Sequence, residues 1–149
     1  MNINNTENYE HLTEEDFQLI KIAENIIKDG YNLQYGNKVS SAILTTNKKI
    51  FKGISIKTGT VNYCAEAGAL SSMFIDDPNN IIQTIVACRG KTNPPCVISP
   101  CGVCRELLLT SFPNAHAIIK LDNNEYIKIK IKNLLPYPYY STHVNFLKN

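Results

Sequence analysis

Two short segments constrain this chain more than anything else in it: Cys64-Ala65-Glu66 and Pro100-Cys101-Gly102-Val103-Cys104. Each falls where a loop or strand end enters a helix. Cys64 opens an Ala- and Leu-rich stretch that reads as a helix to Phe74, and Cys101 opens another that reaches Thr110. Cys101 and Cys104 are three residues apart, so on a helical first turn both sulfurs lie on one side. A helix N-terminus favours negative charge and so helps form thiolates. Cys64, at the second helix start, offers a third. Three protein ligands with an open fourth position is the pattern of a catalytic zinc, here one ion per chain. Glu66 lies two residues past Cys64, where it can sit beside the metal without ligating it, as a general acid/base does.

Each half of the pattern has rival readings. A lone C-x-x-C also serves as a redox pair or as half of a structural zinc site, for which Cys88 and Cys96 are the available extra ligands. Cys88 lies in a predicted buried strand, where a free cysteine acts as a small hydrophobe. The five cysteines are odd in number, and no basic-then-apolar leader opens the chain. A disulfide framework is therefore not expected, and the expected location is the cytoplasm. His11, His116 and His143 have no metal spacing.

The chain has 149 residues, the size of one domain able to bury a core. Residues 1–12 read as a flexible N-terminal arm, and 13–149 as one domain. Its net charge of +2, with Lys spread along the chain, argues against a nucleic-acid partner, and no apolar run is long enough to span a membrane. Thr13 starts a helix on which Phe17, Ile20, Ala23 and Ile27 recur at helical spacing, and Gly30 stops it. Val39 to Leu44 and Ile50 to Ile56 form a hairpin around Asn47 and Lys48. Ile81 to Cys88 and Ala115 to Leu121 read as strands. Tyr126 to Lys132 alternates Ile127, Ile129 and Ile131 with Lys128, Lys130 and Lys132, the pattern of a half-buried strand whose lysines protect an edge. The order α-β-β-α-β-α-β-β predicts an α/β fold, one mixed sheet covered by helices on both faces.

A Glu two positions after a ligand, followed later by P-C-x-x-C, is a zinc deaminase signature. On these motifs, and from Val39 to Tyr140, the chain resembles the cytidine deaminase family, above all its blasticidin S deaminase branch. Ile50-Phe51-Lys52-Gly53, Arg105-Glu106-Leu107-Leu108 and Leu134-Leu135-Pro136 extend the likeness. The resemblance implies a three-layer α-β-α fold with a mixed five-stranded sheet. It also implies a homotetramer with active sites completed by neighbouring chains. It makes Cys64, Cys101 and Cys104 zinc ligands, Glu66 the proton shuttle and the Ala65 N–H a donor to the pyrimidine carbonyl. Cysteine at position 64 favours a free nucleoside-like substrate.

The departures bear on substrate choice. Ser55 and Lys57 stand where many family members grip ribose with Asn and Glu. Asn37 replaces an aromatic residue near the base, and Ala67 replaces an Arg after the catalytic Glu. Three thiolates on one zinc leave a net negative charge, for which Arg105 and Arg89 are candidate partners. Tyr139 and the other tail tyrosines either cover a neighbour's substrate or pack an interface. The expected activity is deamination of cytidine, deoxycytidine or an analogue such as blasticidin S, whose sugar carries a carboxylate that Lys57 could meet. The alternatives are a catalytically retired zinc scaffold and a deaminase of single-stranded nucleic acid.

Overall fold

The computed structural model describes residues 9–32 and 34–139. Most of the expected arm, together with Tyr140 and His143, lies outside them. Helix α1 (Glu14–Gly30) begins as read, with Thr13 as its N-cap. The Thr13 amide donates to Asp16 Oδ2 at 2.8 Å, and the Asp16 amide donates back to Thr13 Oγ1 at 3.4 Å. This reciprocal box satisfies first-turn donors that a helix otherwise leaves free. Leu19, Ile20, Ala23 and Ile27 form the buried stripe, whereas Phe17 stays largely exposed.

Strand β6 (Ile82–Arg89) is the centre of the sheet. It pairs antiparallel with β2 (Val39–Thr45), which pairs with β3 (Ile50–Ile54), and parallel with β8 (His116–Lys120), which pairs with β9 (Tyr126–Lys130). These are the five strands of the expectation. Two short additions make the sheet seven-stranded: β1 (Tyr9–Glu10) on β9, and β7 (Cys96–Ile98) folded back on the end of β6. The last residues of the predicted arm are thus held in the sheet. Beyond β3 the hairpin strand breaks at Ser55, and β4 (Ile56–Lys57) pairs instead with β5 (Asn62–Tyr63).

Alternation along the strands sends side chains into two cores, as a sheet buried on both faces requires. Ala42, Leu44, Val86, Cys88 and Ile118 pack under α1. Ile43, Ile85 and Ala117 pack against α2 (Ala65–Asp76) and α3 (Gly102–Ser111) on the other face. The three-layer α-β-α arrangement is as expected, and Cys88 is a buried core residue.

The lysine row is not what its alternation suggested. β9 ends at Lys130, and Ile131 begins a short helix, α4 (Ile131–Leu134). Nor is β9 an edge, because β1 covers it. Lys128 is buried, and its ammonium lies 3.0 Å from Asp16 Oδ2. A buried charge persists only when paired, and here the partner comes from the first turn of α1. Among the described residues no helix is long and apolar enough to cross a membrane.

Candidate metal and catalytic site

Cys64 is the N-cap of α2 and Cys101 that of α3, so both cysteine segments do open helices. β3 sets the position of the first. A Cβ on Gly53 would collide with the Ala65 carbonyl and the Ala69 amide, so only glycine allows the strand backbone this close to the first turns of α2. The second is set by the crossover between the parallel strands β6 and β8, which carries α3. The Arg105 guanidinium ties the start of that helix down, donating to the Pro100 carbonyl at 2.9 Å, Ser99 Oγ at 2.9 Å and the Leu134 carbonyl at 3.2 Å.

The outcome is a cluster of three sulfurs. The Sγ atoms of Cys64, Cys101 and Cys104 all lie within 4.8 Å of one another, and those of Cys64 and Cys101 are 3.7 Å apart. Two thiolates each about 2.3 Å from a tetrahedral zinc lie about 3.8 Å apart, so the donor set and its spacing fit that ion. Cys104 is buried, Cys64 half-buried and Cys101 exposed, which leaves one side of the cluster open. Burial pushes the Cys104 thiol up, and the Glu66 carboxylate and the other two sulfurs push it the same way. Burial and the Cys101 thiol also raise Cys64. Cys101 is raised by burial too, but the Cys104 amide and the neighbouring thiols outweigh this and bring it below the ordinary thiol value. Such mutual hindrance to ionisation is relieved by a dication.

Glu66 sits in the first turn of α2 and is 4% exposed. Burial raises its carboxyl above the ordinary glutamate value, against weaker lowering by its own amide and by Cys104. A carboxyl raised in this way holds a proton more readily than a free glutamate, which suits a group that takes and gives one. Glu66, Ala65, Cys64 and Cys101 open onto a cavity of about 320 Å³. Cys64 makes no side-chain capping bond to α2, so first-turn N–H groups there, Ala65 among them, are left for a ligand.

The other expected residues divide. Ser55 and Lys57 both line the cavity. The Ser55 hydroxyl, however, accepts from the Lys38 and Val39 amides at 3.1 and 3.0 Å and donates to the Gly36 carbonyl at 3.1 Å. That is the full capacity of a hydroxyl, so Ser55 shapes the wall and has no hydrogen bond left for a ligand. Asn37 supports the same turn through a 2.7 Å bond to the Ser55 carbonyl. Arg105 donates to three neutral oxygens, which makes it a brace for the Cys101 loop. Arg89 does reach the cavity wall. Tyr139 is 81% exposed and does not line the cavity of its own chain. Sequence reasoning missed Lys38 and Asn62, which also line it. The only signal was proximity, Lys38 just before β2 and Asn62 two residues before Cys64.

The chain is 30% identical over 136 residues to the blasticidin-S deaminase of Bacillus cereus, covering 87% of this chain and 95% of that protein. It is 30% identical over 120 residues to the cytidine deaminase of Mycoplasma genitalium, covering 78% and 89% respectively. It superposes on the crystal structure of cytidine deaminase from Mycobacterium leprae with a TM-score of 0.68 at 19% identity, over 85% of this chain and 100% of that one. For the cytidine deaminase of Bacillus anthracis the TM-score is 0.66 at 22% identity, over 83% and 88%. No family profile matches the chain. The structural likenesses speak for the fold, and the two curated relatives for a deaminase. Given these relatives and the three-thiol cluster with its adjoining carboxylate, the chain belongs to the cytidine deaminase superfamily.

Proposed function

We propose that this protein is a zinc-dependent aminohydrolase that converts the cytosine ring of a nucleoside, or of an analogue of the blasticidin S kind, to uracil with release of ammonia. The observation that carries the reading is the buried Glu66 carboxyl set beside the cluster of Cys64, Cys101 and Cys104. Zinc held by those three cysteines supplies Lewis acidity and a water of lowered pKa. Glu66 takes a proton from the attacking water and delivers it to ring N3 as the hydroxide adds to C4. It then takes the remaining proton of the C4 hydroxyl and hands it to the departing amine, so that the C4–N bond breaks and the ring carbonyl forms. One carboxylate serves each transfer because its protonation state alternates. The Ala65 N–H donates to the ring carbonyl. Copies of the chain assemble, and Tyr139 of one copy serves a neighbour's site. The exposure of Val103, Leu107, Tyr137 and Tyr139 supports that assembly.

Substrate choice follows from what faces the sugar. The Ser55 hydroxyl is committed to the backbone, and Lys57 is a donor only. Ribose hydroxyls therefore find few acceptors here, while a carboxylate on the sugar meets an ammonium that has no ion pair among the described residues. The test compares kcat/KM for cytidine, deoxycytidine and blasticidin S in the natural protein and in Lys57→Glu. Blasticidin S should be the best substrate and should lose about tenfold or more in the variant, an effect of 1–3 kcal/mol for an unpaired polar group. Efficient turnover of cytidine, with no substrate affected by Lys57→Glu, would remove this account of specificity.

A further inference from the structure

A second cavity, of about 230 Å³, shares no lining residue with the first. It lies on the α1 side of the sheet: Ala117 packs into the α2–α3 core and Ile118 into the α1 core, so His116 faces with Ile118. The register then sets Lys130 beside His116 and Lys128 beside Ile118. Lys132, Asn133, Tyr9 and Glu10 complete the wall. The cavity is therefore built from β8, β9, the start of α4 and the edge strand β1.

Its charges do not balance. Among the described residues, three ammonium groups, of Lys128, Lys130 and Lys132, meet one lining carboxylate, Glu10. Lys128 is answered by Asp16 at 3.0 Å, with Glu10 further off at 3.8 Å. Lys130 and Lys132 have no ion pair among the described residues. His116 Nε2 is buried and makes no hydrogen bond, although Glu10 Oε1 lies 3.1 Å away. Thr84, the register neighbour of His116, and Asp16, the partner of Lys128, each hold a further buried oxygen without a partner. Buried polar atoms without a hydrogen-bond partner are rare in folded proteins, and His116 places one on the wall of this cavity.

We propose that this cavity is a binding site for a phosphate-class oxyanion, with Glu10 as the resident anion that keeps β1 in place when the ligand is away. A concave wall with excess positive charge concentrates anions. The choice of phosphate over carboxylate rests on the donors. There is no arginine to grip a planar carboxylate in two-pronged fashion, only separate point-charge ammonium groups and the Tyr9 hydroxyl. These suit a tetrahedral ion with several charged oxygens. At about 30 Å³ per water, the volume admits such an ion with part of its hydration.

The experiment is a ¹H–¹⁵N NMR titration of the intact, zinc-loaded protein with inorganic phosphate at constant ionic strength, with chloride as the reference salt. Adenosine 5′-monophosphate and adenosine form a second pair of ligands. The amides of Glu10, His116 and Lys130 should shift saturably with phosphate and not with chloride. Lys130→Gln/Lys132→Gln should weaken binding about tenfold, and Glu10→Gln should tighten it about threefold, in line with two lost ion pairs and one lost competitor. Stronger binding of adenosine 5′-monophosphate than of phosphate, with none by adenosine, would assign the site to a nucleotide; equal binding of both would assign it to free phosphate. Non-saturating shifts like those of chloride, or affinity unchanged in both variants, would overturn the proposal.

Discussion

At the scale of single residues, two buried carboxyls, Glu66 and Asp16, are treated in opposite ways. Burial pushes the Glu66 carboxyl toward its neutral form. Replacing it with Gln keeps shape and removes the proton acceptor. Glu66→Gln should retain one zinc per chain and a normal thermal unfolding curve, while kcat falls by about 10⁴-fold or more, the upper range for acid–base catalysis. Cys104→Ala, by contrast, should lose the metal in elemental analysis. Substantial turnover by Glu66→Gln would move the shuttle elsewhere. Burial would also raise Asp16, but the Thr13 amide and hydroxyl and the Lys128 ammonium hold it below the ordinary aspartate value. A carboxyl lowered by folding contributes stability above its unfolded pKa of about 3.9, and that contribution is lost as pH falls through the folded value. Asp16→Asn should thus cost about 3–5 kcal/mol at pH 7, the usual effect of breaking a buried pair. Its loss of stability on acidification should be shallower than in the natural protein. Urea midpoints at pH 7 and below pH 4 measure both, and parallel pH profiles would show that Asp16 contributes nothing to the acid limb.

Among the elements, those with a long hydrophobic period were legible in the sequence. α1, the β2–β3 hairpin, β6 and both cysteine-bearing helices fall within a few residues of expectation. β1 was not legible because two residues carry no period. The burial of Lys128 escaped because its alternation is the same whether the far face meets water or Asp16, and that partner is 112 residues away. In the candidate site, the cluster of Cys64, Cys101 and Cys104 with Glu66 could be anticipated because each half of the motif is local, Cys64 with Glu66 and Cys101 with Cys104, although the halves are 37 residues apart. The role of the Ser55 hydroxyl could not, because its partners lie 16 to 19 residues upstream across the hairpin. The joint between β3 and α2 yields the sharpest prediction at this scale. Gly53→Ala forces that strand and helix apart, and with them Cys64 from Cys101. Zinc affinity should fall at least about tenfold, as for disturbed support of metal ligands. Equilibrium zinc competition with a chromogenic chelator reads this directly, and an unchanged affinity would mean that α2 is positioned from elsewhere.

For the molecule as a whole, several large apolar side chains stand exposed among the described residues. Val103 is 72% exposed, Tyr137 93% and Tyr139 81%. Light scattering at micromolar concentration should give the mass of four chains, and Val103→Glu/Leu107→Glu should lower it. A fully active monomer would rule out shared sites. A different consequence follows from the bond between Asp16 and Lys128. On the ribosome the first helix emerges long before the strand that neutralises its buried carboxylate. At about 5–20 residues per second, the interval between the two is roughly 6 to 22 seconds. Through that interval the amino-terminal layer has neither its counter-ion nor the β8 face that Ile118 lends it. Nascent chains stalled before residue 128 should accordingly be cut within α1 by added protease, and those released beyond it should not.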